Sequence, residues 1–223
     1  MPNGPFLDYV DPWVSWDWLS THVPYVLAAL LQHVELTAIA VVVGLALSLP
    51  LGVMAQRWRV VRLPLLTFLG IFYTIPSIAL FALLLPYTGL TGTTAEIPLI
   101  GYNMLVLVRN VIVGLDAVPA DVLDAADGMG YRRTARLLQI ELPLALPAIL
   151  AGLRIATVST IGIITIAAVI GIGGLGQLTL RGLIENFHTP LVVATVLSIA
   201  LAVLTDVGLA GSGRIALPWS RNA

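Results

Sequence analysis

The chain has 223 residues, 58% of them hydrophobic and 10% charged, with a mean hydropathy of +0.98 and a formal net charge of −1. A soluble domain averages about 45–50% apolar and about 25% charged residues, so the composition is that of a membrane protein, and a near-neutral chain without a basic stripe is not a nucleic-acid binder. There is no cysteine, which excludes disulfides, thiolate metal sites and cysteine nucleophiles.

A helix crosses the bilayer core with about 20 apolar residues. Residues 12–32 come first and carry Trp13, Trp16, Trp18, Leu27, Leu30 and Leu31. Tryptophans collect where bilayer meets water, so this stretch reads in part as an interfacial helix; the alternative is a simple extension of the first span. No basic n-region precedes it, so no secretory signal is expected. Five apolar runs follow, at about residues 34–55, 64–85, 97–115, 144–170 and 191–210. Pro76 and Pro147 fall inside the second and fourth. Neighbouring helices in a bundle satisfy the carbonyls a proline frees, so both are expected inside helices. Gly152, Ala156, Ser159 and Gly162 recur near helical spacing in the fourth run, a pattern that permits close helix approach, either as general packing or as a dimer seam.

The arginines orient these spans. None precedes the first span, while Arg57, Arg59 and Arg62 follow it. The second connection carries Glu96 and no arginine, the third Arg132, Arg133 and Arg136, and the fourth Arg181 beside Glu185. Arg214 and Arg221 close the chain. Five spans with the N-terminus outside and the C-terminus inside place eight of the eleven arginines in the cytoplasm. The expected organisation is an N-terminal extracytoplasmic segment at 1–33, a membrane domain at 34–211 and a cytoplasmic tail at 212–223.

The third connection, residues 118–143, is the most informative. Pro119 suits a first helical turn, and Asp121 and Asp124 suit its charge. Gly128 and Gly130 allow a sharp turn. A second helix bearing Arg132, Arg133 and Arg136 is expected next, with Pro143 ending or kinking it. Such a helix–glycine–helix is a compact cytoplasmic knob, shaped for a groove on a partner.

The spacing within this knob resembles the Glu-Ala-Ala loop of type I ABC importer permeases. Asp124, Ala125 and Ala126 fill the first triplet, and Gly130, Ile140, Leu142 and Pro143 fall in register. Asp124 replaces the usual glutamate, keeping the charge and shortening its reach. Further strings resemble the osmoprotectant branch of that family. They are Thr74-Ile-Pro-Ser77, Leu142-Pro-Leu-Ala-Leu-Pro147 with Ala151-Gly-Leu-Arg154, the glycine-rich stretch from Gly171 to Gly176, His33-Val-Glu-Leu-Thr37 and Arg109-Asn110. Methionine and other amino-acid permeases share parts of them.

The resemblance implies an all-α, five-helix permease core of an importer for glycine betaine, carnitine, choline or related solutes. It sits in a bacterial or archaeal inner or plasma membrane. The implied partners are ABC ATPase subunits, a second permease (identical or paralogous) and an extracytoplasmic solute-binding protein. Residues 124–126, 130, 140, 142 and 143 would couple to the ATPase. No Gly-x-x-x-x-Gly-Lys-Ser/Thr is present, so ATP and magnesium belong to the partner, and the chain itself needs no cofactor or metal. No Ser/His, paired-Asp or His-Glu-x-x-His arrangement suggests an intramembrane enzyme; a scaffold that recruits an ATPase is the rival from another class.

Ionisable groups inside spans are functional candidates. Arg154 and Asp206 are read as an ion pair or as snorkelling groups, with a sharper alternative in which one responds to inward- and outward-facing states. Tyr73, Thr74, Ser77, Asn110 and Thr157 are the polar candidates for the solute path, with Tyr73 or Phe72 offering an aromatic face to a cation.

Overall fold

A computed structural model gives the structure of the chain and describes residues 13–216. The stretch before Trp13 and the terminal Arg221, both invoked above, lie outside the described residues. Among the described residues every regular element is helical: α1 Trp16–Thr21, α2 Val23–Arg57, α3 Arg59–Thr74, α4 Ser77–Thr88, α5 Gly92–Asp116, α6 Ala120–Gly128, α7 Arg133–Arg136, α8 Leu142–Ile164, α9 Leu175–Ile184 and α10 His188–Ala216. A π-turn at Leu137–Glu141 joins α7 to α8, and a 3-10 turn at Thr165–Ile170 ends α8.

The tryptophan-rich start divides differently from the expectation. Only α1 is a separate helix, capped by the Ser15 side chain accepting from the Trp18 N–H. His22 interrupts the helix, and Pro24 then sits in the first turn of α2, where its missing N–H costs nothing. Leu27, Leu30 and Leu31 therefore belong to the first span, which runs unbroken past residue 34. At 1.5 Å per residue α2 is ~52 Å long, well beyond a ~30 Å hydrocarbon core.

The second run is not one helix. α3 and α4 are bent by 92° at a break between them. The residue before a proline is pushed out of the helical region, and Ile75 is extended, with φ −69° and ψ 128°, ahead of Pro76. The Tyr102 hydroxyl of α5 donates to the freed Ile75 carbonyl and holds the break. Pro147, by contrast, stays inside α8 as expected. Among the described residues four helical stretches are long and apolar enough to cross a membrane, and there are five if the bent α3–α4 pair is counted as one span.

Small residues set the helix directions. A Cβ on Gly44 would meet Asn103, and one on Gly52 would meet Val111, so α2 and α5 run parallel in close contact. Gly152 sits against Asn110, Gly114 against the Ala145 carbonyl, and Thr160 donates to the Asn103 side chain at 2.8 Å, so α8 runs antiparallel along α5. Arg154 reaches Asp206 and Leu150 reaches Gly213, which makes α10 antiparallel to α8. The small-residue pattern of the fourth run thus splits between two faces. Gly152 and Ala156 are buried, the former against α5, whereas Ser159 and Gly162 are exposed.

These directions gather the arginine-bearing connections at one end of the bundle. Arg57 at the end of α2 donates to the Arg133 carbonyl at 3.4 Å, and Arg62 pairs with Asp116 at 2.7 Å. The opposite end holds the glycine turn after α8 and then α9. Gly171 and Gly174 take left-handed φ values of 76° and 51°, and the Gln32 side chain accepts from the Gly174 N–H. The turn after the fourth span is therefore tied back onto α2.

Candidate functional site

The knob at residues 118–143 is built on a helix end. Ala126 is the third residue from the end of α6 and is fully buried. Gly130 follows the cap in left-handed conformation, with φ 79°. The Tyr131 N–H donates to the Ala126 carbonyl at 3.2 Å, and the Gly130 N–H to the Asp127 carbonyl at 3.0 Å. This pair of bonds is a Schellman end, and its reversal requires a residue that tolerates positive φ. The fixed distance between the alanines and Gly130 is thus the geometry of one helix terminus. Gly128 has no such role: it ends α6 with ordinary φ and open space around its Cα.

Of the two expectations for Pro143, an end or a kink, the helix does not end there but carries a π distortion just before it. Pro143 has no N–H to offer the preceding turn, but it lies in the first turn of α8. The register is absorbed one turn earlier, where the Leu142 N–H bonds the Leu137 carbonyl in the wide spacing of a π-turn. That spacing brings two residues five apart onto one face. Arg136 Nε donates to Glu141 at 2.9 Å, and Arg136 also bonds Asp127 at the end of α6. Glu141 is buried, and Arg136 is the side chain that pairs with it. One guanidinium therefore clamps both halves of the knob. In the sequence Arg136 is indistinguishable from Arg132 and Arg133, and nothing marks Glu141, because a separation of five is not a helical contact. The Pro143 punctuation was the one available signal.

The seven motif residues separate by task. Leu142 packs on a buried cluster of Val111, Leu115, Ala145 and Ile149, anchoring the knob to the bundle. Ile140 and Pro143 are half-buried, and Ala126 is buried. Asp124, Ala125 and Gly130 are exposed, together with Asp121, Met129, Arg132 and Arg133. The outward face thus carries an apolar tip, Met129, between acidic and basic groups.

The five candidates for the solute path do not converge. Tyr73, Thr74 and Ser77 stand at the α3–α4 break, where the Tyr73 and Tyr102 rings meet edge-on at 5.6 Å and Phe72 lies 5.8 Å from Tyr102. Tyr102 belongs to this aromatic group, and sequence reading missed it, since only the break brings it there. Asn110 packs on Gly152 and bonds the Val106 carbonyl, so it serves the α5–α8 seam. Thr157 bonds the Leu153 carbonyl and lines an apolar groove of about 450 Å³ between α2, α8 and α10.

Arg154 and Asp206 are joined by two hydrogen bonds, Nε to Oδ1 at 2.8 Å and Nη2 to Oδ2 at 2.7 Å. The geometry is the fork-to-fork pairing that fixes an arginine against a carboxylate.

The fold and sequence have close relatives. Residues 48–210 match the family of binding-protein-dependent transport system inner membrane components. The osmoprotectant import permease protein OsmW of Salmonella typhimurium is 37% identical over 187 residues, covering 82% of this chain and 87% of that protein. The glycine betaine/carnitine/choline transport system permease protein OpuCB of Bacillus subtilis is 33% identical over 189 residues, covering 84% and 86%. In fold, the chain is similar to one in the inward-facing MetNI methionine ABC transporter, with a TM-score of 0.76 at 23% identity over 91% of this chain and 99% of that one. A chain of an amino acid ABC transporter gives a TM-score of 0.72 at 18% identity, covering 90% and 98%. With most of its length matched, this chain belongs to the binding-protein-dependent transport system inner membrane component family and is the permease component of an ABC importer.

Proposed function

We propose that this permease carries glycine betaine, carnitine, choline or a related osmoprotectant inward. The observation that carries the reading is the run of osmoprotectant permeases among its relatives, at 31–37% identity. Two such permeases pack around one path, and each inserts its knob into an ATPase subunit beneath. A binding protein delivers solute at the opposite end. ATP with magnesium binds the ATPase pair, whose closure pulls on the knobs and swings the spans between inward- and outward-facing states. The arginine-bearing end faces the cytoplasm of a bacterial or archaeal cell, with the N-terminus outside and the C-terminus inside.

The test is reconstitution of the permease with its ATPase and binding protein in proteoliposomes. Glycine betaine is expected to stimulate ATP hydrolysis and to be accumulated, while methionine is not. Methionine uptake without betaine uptake would favour the second reading, an amino-acid importer, for which the shared fold with a methionine transporter speaks. Failure of the permease to co-purify with the ATPase would sink both.

A further inference from the structure

The Arg154–Asp206 pair lies on the outer surface of this chain. Its side chains are 40% and 35% exposed. Arg154 stands about three turns into α8, ~18 Å along it, and Asp206 is about three turns before the end of α10, so both lie well inside the hydrocarbon thickness. Charges at such depth do not face lipid; they face protein or a water-filled space. A cavity of about 530 Å³ opens beside them, lined by Ala151, Arg154, Ile155, Val158, Ser159 and Asp206. It contrasts with the groove between α2, α8 and α10, whose lining is aliphatic apart from threonine hydroxyls and glycine.

The pair also has spare capacity. It uses Nε and Nη2 of Arg154 and one bond to each Asp206 oxygen. The Nη1 donors and the outer carboxylate lone pairs have no partner among the described residues. The site presents both signs of charge a few ångströms apart with no net charge. A net negative wall would hold a quaternary ammonium too tightly to release it, whereas a neutral pair meets each end of a zwitterion weakly.

We propose that the α8–α10 face bearing Arg154 and Asp206 lines the solute path, and that the pair receives a zwitterionic solute, Asp206 toward its ammonium and Arg154 toward its carboxylate. The zwitterion class rests on the osmoprotectant reading and narrows it to betaine- and carnitine-like solutes, since choline has no carboxylate for Arg154; the placement of the face on the path is tested without it. Ser159 is exposed beside the pair and takes a probe. Because the chain has no cysteine, Ser159→Cys gives the permease a single thiol.

The assembled transporter carrying Ser159→Cys is treated with a trimethylammonium methanethiosulfonate, which is water-soluble and permanently charged. Labelling is expected in at least one nucleotide state, and far faster than at Val42→Cys in the apolar groove. Labelling no faster than at Val42→Cys, or a disulfide joining the introduced thiols of two copies without labelling, would overturn the placement. The second arm replaces both charges, as Arg154→Met with Asp206→Leu, which leaves no unpaired charge behind and so preserves assembly. Uptake of glycine betaine is expected to fall roughly tenfold or more, the scale of one lost charge-assisted contact. Unchanged uptake would overturn the role of the pair. If the wild-type complex transports no betaine but the Ser159→Cys complex labels, the osmoprotectant reading fails and the placement stands, and methionine, also a zwitterion, then serves as the uptake probe.

Discussion

Gly130 and Gly128 are both exposed with open space around them, and they differ in backbone conformation: only Gly130 has positive φ. A side chain at Gly130 must adopt positive φ, so Gly130→Ala is expected to cost about 1 kcal/mol at the end of α6. Gly128 is helical in open space, so Gly128→Ala is expected to stabilise α6 by about 0.4–1 kcal/mol. Hydrogen exchange across residues 120–131 in the assembled transporter measures both: faster exchange for the first, slower for the second. Equal effects would remove the special role of Gly130. Asp124 is exposed, so a change there has little packing to disturb. Asp124→Glu is expected to leave the melting temperature of the permease unchanged, within about 0.5 kcal/mol, and to tighten co-purification with the ATPase.

The elements of the knob act as one body because of Arg136. Arg136→Met removes the link to Asp127 and leaves the buried Glu141 carboxylate without its donor. The expected loss is about 1–3 kcal/mol, read as a lower melting temperature and as fewer solute molecules moved per ATP. Adding Glu141→Gln, which removes the stranded charge, is expected to restore part of the stability but not the coupling, since the tie to Asp127 stays absent. A double variant as unstable as the single would argue against the clamp. The α3–α4 break rests on a similar single contact. Tyr102→Phe removes the donor to the Ile75 carbonyl and is expected to cost about 1 kcal/mol, visible as a reduced melting temperature and a slower transport cycle.

At the scale of the molecule, parallel α2, α5 and α10 against antiparallel α8 bring the knob, the end of α2 and Arg214 to one end. Gly128→Cys in the knob and Glu185→Cys after α9 stand at opposite ends of the bundle and are expected on opposite sides of the membrane. In intact cells an impermeant maleimide is expected to label the Glu185→Cys variant and to spare the Gly128→Cys variant, and inverted vesicles should give the reverse. Both thiols reacting from the same side would contradict the fold's directions.

Features set by neighbours along the chain are legible without the fold. Apolar length marked the membrane-crossing stretches, arginine placement marked one end of them, and the spacing of Ala126 and Gly130 encoded a helix terminus, because a Schellman end is made by neighbours in the chain. The resemblance of residues 124–143 to the coupling loop of importer permeases was legible for the same reason. The break at Pro76 was half-legible: a proline inside a bundle helix either kinks or ends it, and the choice depends on whether a neighbour such as Tyr102 captures the freed carbonyl. Tertiary structure alone decided contacts between distant residues. Arg136 meets Glu141 through a π-turn and Asn110 serves packing against Gly152, while the Arg154–Asp206 ion pair is among the readings that opposite charges inside spans allow, and only its place at the surface is not. Such pairings follow from how helices settle against one another through glycine contacts, and no local pattern in the chain carries that information.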